Sequence, residues 1–278
     1  MNKSLLLLFL MAFLNAQELS VKKIWTTKNL PVCESIIFSE STASIYVSCI
    51  NGKPAQKNNS GFISRLNKNG EIINRKWAIN LNAPKGMGIY NQQLFVADID
   101  EIKEINLNTG KIEKSIAVPN ANFLNDIAID NKGNVFVSDT KTNSIYLFDG
   151  KKISKWLDDT ILKSPNGLLF AENKLLVGNS GSKEILVINI ESKKVEKKYK
   201  TKTGIDGLKI FDTEYFLISD WVGHTYLNSK DGRDIDLLNT TKEKTNSADL
   251  EYINKEAILI IPTFYKNRID AYKIRTKK

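Results

Sequence analysis

Short runs of four or five apolar residues recur along the chain at 45–49, 94–98, 135–139, 175–179, 216–220 and 259–262, most of them ending on a polar residue. Their middle residues are 47, 96, 137, 177, 218 and 260, so the spacings are 49, 41, 40, 41 and 42. A unit repeating near 41 residues matches one four-stranded blade of a β-propeller. Each run is preceded by a second apolar run that opens on a polar or glycine-containing corner, as at 125–129 and 206–210. A third strand follows at 144–148 and 184–188, and a fourth, richer in lysine, at 111–116 and 193–198. Inner strands read as continuous apolar runs because neighbouring blades cover both faces. Outer strands read as polar because they lie on the rim, where lysines discourage edge pairing.

The pattern predicts an all-β chain, a six-bladed β-propeller. The last copy stops after its third strand, 267–272, and lacks a fourth. The segment 19–25 is a spare strand before the first copy, and we expect it to complete the sixth blade and close the ring.

Residues 1–16 differ from this array. Lys3 precedes ten unbroken apolar residues at 5–14, and a small residue, Ala16, follows. That layout predicts a secretory signal peptide, too short for a comfortable membrane span. The expectation is a propeller over 17–278, periplasmic or secreted, monomeric, and without stable membrane insertion once the signal is removed. In an oxidising compartment Cys33 and Cys49, which flank a predicted hairpin, either pair or remain two buried thiols.

Composition removes several function classes. With 42% hydrophobic and 26% charged residues the chain is globular rather than disordered. The net charge is +9, but 35 of the 40 basic residues are lysine and only five are arginine. Nucleic-acid sites lean on arginine forks, so no nucleic-acid partner is expected. Two cysteines and one histidine exclude a Cys/His zinc cluster. Phosphate-binding loops and the Gly-x-Ser-x-Gly elbow are missing.

The first strand of every blade lines the central channel, so its opening residues converge at one mouth. Counted from the repeat markers, these are Glu34, Gly86, Asn125, Asn166, Asp206 and Asp249. Five of the six carry a side-chain oxygen. Converging oxygens suit a hard divalent cation, whereas Asn-Gly and Asp-Gly are also ordinary turn dipeptides. Returning second strands bring Asp98, Asp139, Asn179, Asp220, Trp221 and His224 toward the same rim, where the aspartates suit blade-corner hydrogen bonds before ligation. Of the residues at this mouth and rim, Asp249, Trp221 and His224 are candidate substrate contacts.

At these motifs the chain resembles the regucalcin, gluconolactonase and luciferin-regenerating-enzyme family of six-bladed propellers. The resemblance rests on Cys33-Glu34-Ser35, Asn125-Asp126, Pro165-Asn166-Gly167-Leu168 and Ile205-Asp206-Gly207-Leu208. It implies a divalent cation, calcium foremost with magnesium, manganese or zinc as alternatives, held by Glu34, Asn166 and Asp206. It also implies that Asn125 contacts the substrate or a metal-bound water and that Asp206 acts as catalytic base in lactone hydrolysis. Phe123 stands where family lactonases often carry arginine, and Ile36 where they carry proline. The expected activity is a metal-dependent hydrolysis of a small-molecule ester or lactone. The alternative is a non-catalytic propeller of NHL-like blades that binds a ligand or a protein.

Overall fold

The computed structural model describes residues 19–276, so the signal-peptide reading of 1–16 lies outside the described residues. Six four-stranded antiparallel sheets follow one another along the chain. Blade 1 runs through Cys33–Ser39, Ser44–Cys49, Gly61–Leu66 and Ile72–Leu81. Blades 2 to 5 open on the inner strands Pro84–Tyr90, Leu124–Ile129, Pro165–Ala171 and Leu208–Ile210. Blade 6 contains Glu251–Ile253, Ile258–Pro262 and Arg268–Thr276. Its fourth strand is Leu19–Lys28, which pairs antiparallel to Arg268–Thr276 from Leu19↔Thr276 to Lys28↔Arg268. The ring is therefore closed by the segment expected from sequence, extended by three residues.

The second strands are buried throughout in Ser44–Cys49, Val135–Asp139 and Ile258–Pro262, and past their first residue in the other blades, because both faces meet a neighbouring blade. Outer strands alternate instead: in Val195–Lys200 only the valine and tyrosine are partly covered. The core is divided into layers between blades. Tyr46, Ile63, Leu94, Val96 and Ile105 fill the space between blades 1 and 2. Leu217, Leu227, Leu250, Leu259 and Ile274 do the same between blades 5 and 6, with Leu19 and Val21 packed against them. Each layer buries apolar surface that a single twisted sheet would leave wet, and this burial is the main stabilising term. Among the described residues no helix is long and apolar enough to cross a membrane.

The ends of the second strands fix the blade corners. Asp98 accepts the N–H groups of Asn82 and Ala83, and Asp139 those of Asn122, Phe123, Lys141 and Thr142. Asn179 takes Lys163 N–H, and Asp220 takes Val222, Gly223 and His224 N–H. Buried backbone donors at each corner thus have a side-chain acceptor. Cys33 and Cys49 face each other in the blade 1 register and are joined as a disulfide.

Candidate functional site

Four of the six inner strands open on a bulge. Pairing jumps between Cys33 and Ser35, Pro84 and Met87, Leu124 and Ile127, and Pro165 and Leu168. In three blades a serine of the second strand satisfies the backbone where the inner strand opens. Ser48, Ser138 and Ser219 hydroxyls accept the N–H groups of Ser35, Asp126 and Gly207 at 3.0, 2.9 and 3.0 Å. The residue just before the bonded one lies level with its counterparts at the channel mouth.

Register decides which residues share that level. Ile36, Met87, Ile127, Leu168, Leu208 and Glu251 pair with the repeat markers 47, 96, 137, 177, 218 and 260. Two positions earlier stand Glu34, Lys85, Asn125, Asn166, Asp206 and Asp249. The blade 2 member is therefore Lys85, not Gly86. Gly86 sits one step deeper, where a Cβ would fall 2.5 Å from Asp126 Cα and 2.6 Å from Asn125 O.

Five of these six side chains line one cavity of about 270 Å³: Glu34, Lys85, Asn125, Asn166 and Asp206. Its outer wall is apolar, built by Phe123, Trp221, Phe264 and Tyr265, with Ile50 and Pro54 beside them. Trp221 meets Phe264 edge-on at 4.6 Å, and Phe264 meets Tyr265 edge-on at 4.7 Å. Trp221 and Tyr265 remain 42% and 59% exposed, so the wall stands open to solvent at its lip.

Charge is concentrated below that wall. Burial, then the neighbouring Asp206 carboxylate, raises the Glu34 carboxyl well above its usual range, although Lys85 works the other way. Burial and then Asp249 push Asp206 up to about 7. Asn166 Nδ2 donates to Asp206 Oδ1 at 3.1 Å, which favours the ionised form. Glu34 Oε2 is buried without a hydrogen-bond partner. Burial likewise lowers the Lys85 ammonium to about 8, with Glu34 opposing the shift.

Among the described residues no three His, Cys, Asp or Glu side chains form a metal-holding group. The oxygen set at the mouth is instead two carboxylates and an amide, Glu34, Asp206 and Asn166. An unsatisfied buried acceptor and two carboxyls held in one another's field fit a divalent cation better than they fit each other. These residues suit the group that the family resemblance implies.

The remaining candidates separate. Asn125 and Trp221 reach the cavity. Asn125 is pinned through Nδ2 to Thr140 Oγ1 at 3.0 Å. Asp249 turns away to accept Ser35 Oγ at 2.5 Å and Leu250 N–H at 2.6 Å. It belongs to a deeper layer with Asp126 and Lys209. There burial opposes the Lys209 charge, but Glu251, Asp249 and Asp126 hold its ammonium above the usual range. His224 is bound at the blade 5 corner, its Nδ1 2.8 Å from Asp220 Oδ2, and is not among the cavity-lining residues. Lys85, Phe264 and Tyr265 are site residues that the repeat pattern did not single out.

No family model matches the chain, and no curated protein matches it. Solved structures share its fold at low identity. A gluconolactonase from Xanthomonas campestris is 14% identical with a TM-score of 0.66, over 92% of this chain and 89% of that one. A catalytically inactive variant of virginiamycin B lyase from Staphylococcus aureus, with quinupristin, is 14% identical with a TM-score of 0.63. The match covers 92% of this chain and 99% of that chain. The WD40 domain of Pan2 from Neurospora crassa is 8% identical with a TM-score of 0.64, over 93% and 96% of the two chains. At these identities the likeness is one of fold.

Proposed function

We propose that this propeller hydrolyses a small-molecule ester or lactone at its channel mouth, with a divalent cation, calcium foremost, on Glu34, Asn166 and Asp206. The observation that carries the reading is the buried oxygen set on one cavity, with Glu34 Oε2 left without a partner. The gluconolactonase among the structures of like fold supports it. The Cys33–Cys49 disulfide supports an exported protein, since such bonds persist in oxidising compartments.

A bound cation would supply Lewis-acid polarisation of the ester carbonyl. Asp206 has the position of a general base: Asn166 engages Oδ1 and leaves the other carboxylate oxygen to receive a proton from water. Asn125, held by Thr140, keeps its amide oxygen for a ligand hydroxyl. Phe123, Trp221 and Phe264 exclude water from one side of the ligand, which strengthens the electrostatics below.

Lactone panels with calcium, magnesium, manganese and zinc test the reading. Turnover should require a cation. Asp206→Asn should lower kcat by roughly 10²–10⁴-fold, the usual contribution of a general base. Glu34→Gln should abolish the calcium-dependent rise in melting temperature. If no lactone is hydrolysed with any of the four cations, the reading fails.

A further inference from the structure

One charge at the mouth has no part in the scheme above. Lys85 is 1% exposed and stands level with Glu34, Asn125, Asn166 and Asp206. Its Nζ donates to Ala83 O at 3.0 Å and rests 4.4 Å from the centre of the Phe123 ring. Among the described residues this ammonium forms no ion pair with a carboxylate. An ammonium carries three donors, so two remain for an oxygen in the cavity. Burying a charge is costly, and the field of Glu34, Ala83 O and one aromatic face together return only part of that cost.

The charge balance of the cavity points the same way. A divalent cation offsets the two negative charges of Glu34 and Asp206, and Lys85 then leaves the mouth with one positive charge. A single excess charge suits a monoanion rather than a phosphomonoester dianion. Lys141 approaches the same Phe123 ring, 5.1 Å from its centre, and adds positive potential at the lip. Beside the ammonium lies the apolar wall of Phe123, Trp221 and Tyr265.

We infer that Lys85 is a specificity determinant. It selects ligands that carry a carboxylate next to a flat apolar body, with the carboxylate on Nζ and the body against the aromatic wall. The inference rests on the reading of this cavity as the ligand site with a cation at its floor.

Phenylacetate and phenylacetamide have nearly the same shape and differ in charge. Calorimetry of the calcium-loaded protein at neutral pH should show phenylacetate binding about tenfold or more tightly than the amide, the range expected for one hydrogen bond to a charged group. Lys85→Met should bring the two within about twofold by removing that bond, while calcium binding is retained. Lys85→Arg should keep the preference. Equal affinities in the unaltered protein, no binding of either probe, or a preference that survives Lys85→Met would each overturn the inference. The unaltered comparison stands even if a variant fails to fold. Lactone turnover without any carboxylate preference would defeat this inference alone. Lys85-dependent phenylacetate binding without lactone turnover would defeat the hydrolase reading alone.

Discussion

Four carboxyl groups, Glu34, Asp126, Asp206 and Asp249, are buried along one channel, and burial is the first cause that raises each of them. A carboxyl whose value is higher in the fold than in the unfolded chain favours the fold most in its protonated state. That contribution is complete below the unfolded value near 4 and is lost as pH rises through the folded one, about 7 for Asp206. Lys85 acts in the opposite sense, but in a higher window, between about 8 and its usual 10.5. In chelator the melting temperature should therefore fall from pH ~5 to pH ~8, and calcium should restore more stability at the higher pH, where the ligands are ionised. Thermal melts across that range, with and without calcium, check this; a flat profile in chelator would refute it. Glu34, Asn125, Asn166 and Asp206 were legible in the sequence because each sits at a nearly fixed distance before a repeat marker. Lys85 was not: it stands 11 residues before its marker, as Asn166 does, but a search for oxygens passes over an ammonium. Phe264 and Tyr265 lie in a turn after the second strand of blade 6, where no periodicity marks a position.

Inner strands approach one another too closely for every residue type. At Gly86 a Cβ would meet the backbone of Asn125 and Asp126 in the next blade. Gly86→Ala should cost about 1–3 kcal/mol, as overpacked sites do, and should loosen ligand contacts at Asn125. Urea unfolding measures the first effect and ligand affinity the second; an unchanged midpoint would mean that the two blades can part. The strands themselves were readable in advance, since apolar runs of this length recur near one period. Corner hydrogen bonds were readable in kind. Asp98, Asp139 and Asp220 read as blade-corner acceptors before ligands, and their oxygens, with that of Asn179, are committed to backbone N–H groups. Sequence names an acceptor; only the turn that follows decides whether the backbone claims it.

Across the whole molecule the six sheets depend on one pairing between distant segments. Leu19 and Val21 pack into the layer of Leu259, Tyr272 and Ile274, and Trp25 packs against the layer shared by blades 6 and 1. Removing residues 19–28 should lower the melting temperature by roughly 10 °C or more, at ~2–4 °C per kcal/mol for a chain of this size. Calorimetry checks this, and an unchanged melt would show that the ring holds without its clasp. Closure was legible because a count of strands left one missing at the end and one over at the start. The same clasp has a consequence in time. Leu19 meets Thr276 across 257 residues, so the outer edge of blade 6 stays unpaired until the last strand of the array exists. A ribosome delivers these residues in order, and until then the early blades form an open arc with an exposed flank. Such long-range closure is slow compared with forming each blade. Closure of the ring thus waits on residues 268–276, and the interval before they arrive is when an arc is most exposed to pairing with another copy.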